Sequence, residues 1–369
     1  ENIGGHIIRR NNIHHCEQGG IIGRMGGVFS IIEDNHIHHI NNMMEQGGAE
    51  IAGIKMHAAI DVTMRRNHIH HCTMGIWCDW EAQGTRLTQN LLHDNQKPAY
   101  AKSLNGGMMS QDIFVEVGHG PTLIDNNVML SDASLRFATE GVALVHNLIC
   151  GALTCVGDGT GWRYTPYHMP HRTEVMGFMT ILHGDDRIYN NIFVQKWPSE
   201  DVIIPHDSDE GFDSENRKAG TWMFDEYPTY DEWISQFDFT KPVDMKKLEP
   251  VHFGHLPVWI EGNVYLNGAE ACKNEVNGLV ISDKEAKVDL VEKEGSYYLD
   301  TNVYDLVGEF KDRMIHSDIL GKAFEPEQRF ENPDGTAIQF DKDYFGGHRG
   351  MDVIPGPFAQ AEDAKKVLF

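Results

Sequence analysis

The sequence lacks the features of a membrane-spanning or nucleic-acid-binding protein. No apolar run approaches the roughly 18 residues expected of a transmembrane helix. Positive charge is scarce, because 31 Lys and Arg stand against 55 Asp and Glu and the formal net charge is −24. A surface for nucleic acid or an anionic membrane needs clustered Lys and Arg, so neither is expected as a partner. The 369 residues are nevertheless enough for a large core.

Cysteine is also scarce and has no metal-binding pattern. The six cysteines show no CxxC spacing. Cys16 and Cys72 occupy the same place in an Ile-His-His-Cys phrase, which favours inward apolar packing over a disulfide framework. We therefore expect reduced cysteines and a cytoplasmic location. The chain starts within its repeat, with neither Met nor a signal peptide, so we also expect it to be N-terminally incomplete.

What the chain does have is a short repeated phrase, Asn-x-Ile-His-His. It occurs at Asn11–His15, Asn35–His39 and Asn67–His71, and weaker forms start at Asn90, Asn126, Asn147 and Asn190. A period in the low twenties, interrupted by insertions, is typical of a solenoid. The units are β-branched, alternating and separated by Gly and Asn, which predicts strands. We predict an all-β, right-handed parallel β-helix, because parallel crossovers are overwhelmingly right-handed, with the Asn residues stacked as a ladder.

Alignment of the coils on their Asn residues predicts a column of outward side chains, His57, Asp79 and Glu116. When Asn126 is taken as the aligned asparagine of its coil, the chain from Glu116 to Asn126 is one residue shorter than the chain from Asp79 to Asn90, so the corner after Glu116 is one residue shorter than the corner after Asp79. Neighbouring strands lie about 4.8 Å apart, so two carboxyl groups on adjacent strands are about 5 Å apart, as in retaining glycosidases. Two like charges this close cannot both ionise freely, so we expect one ionised nucleophile and one protonated acid.

The ordinary alternative is that these two residues are solvated surface charges. Directly opposed like charges destabilise a sheet, which disfavours that alternative. The pair is also surrounded in the sequence by Trp77, Trp80 and Phe114. Aromatic side chains suit the apolar face of a sugar ring, so the setting favours a carbohydrate site.

Two longer motifs carry a resemblance to a known family. The runs Gly75–Arg86 and Asp112–Pro121 resemble the signature of glycoside hydrolase family 120, β-xylosidases built on a right-handed parallel β-helix. The shorter runs 48–55, 184–193 and 356–358 are similar to the same family. The resemblance implies a retaining β-xylosidase of xylan degradation that removes xylose from the ends of xylo-oligosaccharides. Two features depart from the family pattern: an insert around Gln96–Met109, and the missing N-terminal part.

The resemblance also implies roles for individual residues. Asp79 would be the nucleophile, Glu116 the general acid/base, and Glu50 a ligand of the terminal sugar's hydroxyl groups. Beside these, we expect Trp77, Trp80 and His119 to contact substrate, with His119 either touching it or supporting a residue that does. His57 either binds a sugar hydroxyl or orients the nucleophile, or else it is an exposed histidine of the repeat. Glu81 is expected to be structural or solvated.

The repeat lapses after about residue 195, which divides the chain. We predict parallel β-helix coils carrying the active site over 1–197 and an acidic, aromatic excursion loop over 198–250 with a short helix near Tyr230–Phe237. The last coil or coils and a strand-rich cap and tail follow over 251–369, beginning with a coil at Trp259–Tyr265 and including a turn at Glu294-Gly295. A cap is expected because an uncovered solenoid end invites aggregation.

Metal ions and cofactors are not expected from the sequence. The pairs His14/His15, His38/His39 and His70/His71 would stack as parallel ladders, whereas zinc needs three or four converging ligands. The acidic run 207–213 lacks the spacing of a calcium loop. The expected partner is a xylo-oligosaccharide or related β-glycoside, and a homo-oligomer is possible.

Two other classes of function remain open. One is another β-helix enzyme acting on polysaccharide, such as a lyase, an epimerase or a different glycosidase. Enzymes of acidic polysaccharides need basic residues or calcium near the site, which fits this composition poorly. The other is a non-catalytic carbohydrate-binding or structural solenoid, for which Asp79→Asn and Glu116→Gln would leave ligand handling unchanged.

Overall fold

Three parallel sheets wind through the chain as a β-helix. The computed structural model describes residues 4–25, 27–46, 50–98, 110–155, 164–198, 218–238, 240–242, 244, 246 and 254–369. Every strand of each large sheet pairs in parallel with a strand one coil away. The predicted all-β, right-handed parallel β-helix is therefore confirmed.

The three large sheets have eight, nine and six strands. The first contains Ile7–Arg9, Ile31–Glu33, Thr63–Arg65, Thr85–Thr88, Thr122–Asp125, Val142–Val145, Asp186–Tyr189 and Val258–Glu261. The second contains Asn12–Cys16, His36–Ile40, His68–Cys72, Leu91–His93, Val128–Met129, Leu148–Ile149, Ile192–Val194, Val264–Leu266 and Leu279–Ile281. The third contains Gly19–Arg24, Ala52–His57, Ile76–Asp79, Ile113–Glu116, Ala133–Ala138 and Ala152–Cys155.

The coil interior is apolar because alternate residues of each strand point inward. Ile54, Ile76 and Ile113 stack inside the third sheet and are fully buried in the main core. Cys72 also belongs to this core, and the intervening strand, which carries Ile40, separates it from Cys16. The six cysteines are free thiols.

An asparagine ladder runs along one corner of the solenoid. Each amide nitrogen donates to the amide oxygen of the next member at 2.9–3.1 Å, through Asn35, Asn67, Asn90, Asn127, Asn147, Asn191 and Asn263. The ladder was predicted, but its members in two coils are Asn127 and Asn191, not Asn126 and Asn190.

Asn126 and Asn190 do not belong to the ladder and have another structural role. Asn126 and Asn190 lie in the left-handed region, with φ of 53° and 56°. Their side chains hold the C-terminal segment, since Asn126 accepts from Arg349 at 2.6 Å and Asn190 donates to the Arg313 carbonyl at 3.1 Å. With Asn127 as anchor, the corners after Asp79 and Glu116 have equal length, so the predicted one-residue irregularity does not exist.

The C-terminal part packs along the sides of the solenoid. Antiparallel strands Val288–Lys293 and Ser296–Thr301 join at Glu294-Gly295, as predicted, and cover outer residues of the second sheet. The segment around Met314–Phe340 covers the first sheet in the same way. The other elements are antiparallel strands Tyr164–His168 with Val175–Thr180 and Asp312–Arg313 with Asp352–Val353, helices Tyr230–Ile234, Val303–Val307 and Ser317–Leu320, and 3-10 helices Trp222–Phe224 and Ala361–Lys365.

Two local predictions for this half of the chain can be compared directly. The helix expected near Tyr230–Phe237 runs from Tyr230 to Ile234, and Thr229 and Glu232 form a capping box at its start. The coil expected at Trp259–Tyr265 is present as strands Val258–Glu261 and Val264–Leu266. Among the described helices, none has the length and apolarity to cross a membrane.

Candidate active site

The outer face of the third sheet carries the predicted column. His57 pairs with Asp79, Asp79 with Glu116, and Glu116 with Ala138 in the parallel register. A second column, two residues earlier on each strand, contains Lys55, Trp77, Phe114 and Arg136. The two carboxylates are therefore direct neighbours, about one strand spacing of 4.8 Å apart at the backbone.

Asp79 is held by two nitrogen donors on one of its oxygens. Lys55 Nζ lies 2.7 Å and His57 Nε2 lies 2.9 Å from Asp79 Oδ2. Asp79 is only 6% exposed and Lys55 is fully buried. A buried ammonium next to a carboxylate favours the ionised carboxylate, because each charge compensates the other where water is excluded.

Glu50 completes this cluster from a residue just before the third-sheet strand. It forms an ion pair with Lys55, and its Oε2 lies 3.8 Å from His57 Nε2. Partial burial acts to raise the pKa of Glu50, but the hydrogen bond and charge of Lys55 hold it below its usual value. Glu50, His57 and Asp79 are close enough to hold a metal ion. The Lys55 ammonium already supplies a cation between the two carboxylates.

Glu116 has a different environment from Asp79. Its Oε2 accepts a hydrogen bond from Trp77 Nε1 at 3.1 Å, and Glu116 is 5% exposed. The Trp77 ring packs against Phe114 with 5.4 Å between centroids, and Lys55 Nζ lies 3.9 Å from the Trp77 centroid. Trp77 is 3% exposed, so it lies beside Glu116 as a donor and offers little ring surface to a ligand.

Trp80 and Glu81 follow Asp79 in the corner after its strand, and their side chains have different surroundings. Trp80 and Glu81 both have positive φ, 49° and 61°. Trp80 is 42% exposed beside Asp79, which places an open aromatic surface next to the carboxylate. Glu81 Oε2 instead bonds His168 Nε2 at 3.0 Å and so ties the hairpin at Tyr164–Thr180 to the coil.

His119 lies outside the column. Its Nδ1 is 2.5 Å from Glu140 Oε1 and its Nε2 is 3.1 Å from the Thr165 carbonyl oxygen, in a fully buried group. Burial lowers the pKa of His119. Burial also raises the pKa of Glu140 to about 8 and, together with the charge of Glu140, that of Glu325 to about 9. The structure therefore brings Glu50, His57, Trp77 and Trp80 to the carboxylate pair, but not His119.

Lys55 is a residue of this site to which the sequence analysis gave no role. It lies two residues before His57 on the same strand, so strand alternation places both on one face, and this spacing was the available signal. Residues 99–109 of the insert, 47–49 before Glu50 and the acidic run 207–213 lie outside the described residues.

The two ends of the insert are clamped together. Asn95 Nδ2 donates to Asp112 Oδ1 at 2.8 Å, and the Gln96 amide donates to the Cys72 carbonyl at 2.9 Å. Ser131 Oγ donates to the same Asp112 oxygen at 2.6 Å. Burial raises the pKa of Asp112 to about 7. The chain thus enters the Ile113–Glu116 strand from a fixed point.

Comparisons with known proteins agree with this fold. The family described as "Right handed beta helix region" matches residues 1–137. A solved structure entitled "The complex structure of XylC with xylose" matches 97% of the chain at 36% identity, with a TM-score of 0.82. The match covers 50% of that structure's chain, so the present chain spans about half of its length. The comparison with curated proteins found no match. The predicted resemblance to glycoside hydrolase family 120 is thereby confirmed.

Proposed function

We propose, on the premise of this resemblance, that the chain is the part of a xylosidase-like glycoside hydrolase that carries the catalytic carboxylates. It would remove β-linked xylose from the ends of xylo-oligosaccharides with retention of anomeric configuration. The observation that carries the proposal is that two directly paired carboxylates, Asp79 and Glu116, have opposite environments. The XylC structure, whose title states that it contains xylose, supports the sugar class.

The environments divide the two roles. Asp79 faces the Lys55 ammonium and His57, which favours the anion that a nucleophile requires. Glu116 accepts a hydrogen bond from the neutral indole N–H of Trp77 and is almost fully buried, and we assign the proton of the general acid to it. Two carboxyl groups whose surroundings differ in this way are the usual basis for one nucleophile and one acid in a single site.

Double displacement follows from these roles. Glu116 donates its proton to the glycosidic oxygen while Asp79 attacks the anomeric carbon, so the glycosidic bond breaks and a glycosyl ester forms. Lys55 and His57 both bond Asp79 Oδ2, so we assign the attack to Oδ1. Glu116, now ionised, then takes a proton from water, which attacks the anomeric carbon and releases Asp79.

The remaining side chains are assigned to the sugar. Glu50 is half-exposed next to Asp79 and can accept hydrogen bonds from sugar hydroxyl groups. His57, with its side chain 29% exposed, can bond both Asp79 and a hydroxyl. Trp80 supplies an exposed ring beside the nucleophile. An acidic sugar fits less well, because Glu50, Asp79 and Glu116 outnumber the single lysine among them.

The test is hydrolysis of nitrophenyl β-xyloside followed by NMR of the first product. We expect the β-anomer first. Asp79→Asn should abolish turnover, whereas Glu116→Gln should lose about 10²–10⁴-fold on xylobiose but far less on the activated nitrophenyl substrate. Glu81→Gln is the matched control, because Glu81 lies in the same corner and bonds His168. An α-anomer as first product would exclude retention, and no turnover on several pentosides would exclude the proposed substrate.

A further inference from the structure

The outer face of the second sheet carries a stack of histidines that the proposed reaction does not use. His14, His38, His70 and His93 form one column, and His36 and His68 form a neighbouring column. The adjacent residues His15, His39 and His71 have φ between 51° and 55°, in the left-handed region. This local break in strand alternation turns both members of each His-His pair outward, with their Nδ1 atoms 2.7–2.8 Å apart.

Rings from different coils converge within this stack. His36 Nε2 lies 2.8 Å from His70 Nε2, and His68 Nε2 lies 2.7 Å from His93 Nε2. His36, His68 and His70 each have a ring nitrogen within 4.8 Å of the other two. Each of the two short contacts joins rings of different columns on adjacent coils. This arrangement therefore differs from the parallel stacking of the His-His pairs, on which the expectation of no metal was based.

His68 and His70 are buried, and His36 is partly buried. Tyr297 and Phe369 cover His68, with ring centroids 4.4 and 4.7 Å away. Burial and the neighbouring histidines lower the pKa of both His68 and His70. His68 Nδ1 is buried without a hydrogen-bond partner among the described residues, so this ring is held through its Nε2. A neutral imidazole carries one N–H and one lone pair, so a cation at this point requires the tautomers that leave a lone pair on the facing nitrogens.

We propose that His36, His68 and His70 bind one divalent transition-metal ion, with Zn²⁺ as the reference ligand and a fourth position open to water. Imidazole nitrogens suit Zn, Cu and Ni, and tetrahedral zinc with bonds of about 2.0–2.1 Å needs nitrogens about 3.3 Å apart. The 2.8 Å between the Nε2 atoms of His36 and His70 must open to that value, and the other separations in the group, within 4.8 Å, must close by ring rotation.

A carboxylate orients His93, the ring that contacts His68. His93 Nδ1 lies 2.6 Å from Asp94 Oδ2, and His93 Nε2 lies 2.7 Å from His68 Nε2. The carboxylate therefore fixes the tautomer of His93 and the position of the ring beside His68. Glu292 acts electrostatically on His36 from the covering hairpin and adds negative charge beside the cation.

The test is competitive titration of the EDTA-treated full chain with Zn²⁺ against a chromophoric chelator. We expect one equivalent to bind more tightly than the rest, and Co²⁺ to give the intense visible absorption of a tetrahedral site. His36→Gln, at a half-buried position, should weaken the tight equivalent at least about tenfold. His70→Gln should do the same, and circular dichroism establishes that each variant is folded.

His14→Gln with His15→Gln is the matched control, because this pair stacks in the same face at its exposed end. The double variant should leave the tight equivalent unchanged. The proposal is overturned if no equivalent stands out from weak surface binding, or if Co²⁺ gives only the pale spectrum of an octahedral ion. It is also overturned if the His14/His15 variant lowers the affinity as much as His36→Gln does.

Discussion

Asn127→Ala should be among the most destabilising single substitutions in the solenoid. The Asn127 amide makes four hydrogen bonds: Nδ2 donates to the Leu87 carbonyl and to Asn147 Oδ1, and Oδ1 accepts from the backbone and side-chain nitrogens of Asn90. All of these lengths are 3.0 Å, and Asn90, Asn127 and Asn147 are fully buried. The substitution therefore removes partners that water cannot replace.

The magnitude follows from the groups left behind. Asn90 would have two N–H groups without an acceptor, and the Leu87 carbonyl would lose its donor. Each orphaned buried group costs about 1–3 kcal/mol, so the three groups give an expected loss of roughly 3–9 kcal/mol in the free energy of unfolding. That is a large share of the roughly 5–15 kcal/mol that holds a typical domain folded.

Urea unfolding followed by circular dichroism and tryptophan fluorescence measures this loss. Asn11→Ala is the control, because Asn11 is exposed and water can replace its bonds to Arg9 and Asn35, so we expect less than about 1 kcal/mol. Asn127→Asp should be worse than Asn127→Ala, since a buried carboxylate would face Asn147 Oδ1 and the Leu87 carbonyl without donating to them. Equal losses for Asn11→Ala and Asn127→Ala, or an Asp variant as stable as the Ala variant, would refute the ladder argument.

Three further predictions concern the site and its supports. Trp77→Phe keeps the ring but removes the N–H that Glu116 accepts, so kcat/KM on xylobiose should fall about tenfold or more with a smaller effect on nitrophenyl xyloside; equal losses on both would contradict a role through Glu116. Lys55→Met leaves Glu50 and Asp79 without their shared ammonium, so steady-state turnover should fall at least about 100-fold, and wild-type kinetics would show that Lys55 is only a packing residue. The raised pKa values of Glu140 and Glu325, about 8 and about 9, mean that the folded state holds extra protons above the ordinary value of 4.5, so their contribution to stability is lost as pH rises toward 9. One extra proton gives a slope of about 1.4 kcal/mol per pH unit, so Glu325→Gln should flatten the fall between pH 6 and 8 by about that slope, whereas an unchanged profile in urea melts would contradict the linkage.

The repeat was sufficient to predict the sheet, the ladder and the carboxylate column. These features depend on period and alternation, which are written directly in the chain. The register slipped at Asn126 because two consecutive asparagines fit the phrase equally well. The ladder bonds of Asn127, and the contact of Asn126 with Arg349 far along the chain, distinguish the two in the structure. The predicted column is the same with either asparagine, because the prediction allowed the corner after Glu116 to be one residue shorter.

Side-chain partnerships were harder to predict because they depend on tertiary neighbours. His119 follows Glu116 closely in sequence, yet its corner turns it toward Glu140 and away from the column. Trp77 was expected to face substrate, and its indole instead points along the sheet to Glu116. The cross-coil approach of His36 to His70 involves residues outside the conspicuous His-His pairs, so the repeat phrase alone did not indicate it.

The clamp between Asn95 and Asp112 makes the separation of the two carboxylates independent of the length of chain between them. Backbone pairing fixes Glu116 opposite Asp79, and the clamp returns the chain to the same starting point whatever it encloses. The segment between Asn95 and Asp112 is thus a cassette that can be exchanged or shortened in a library. Such replacements would leave the backbone spacing of the two carboxylates unchanged.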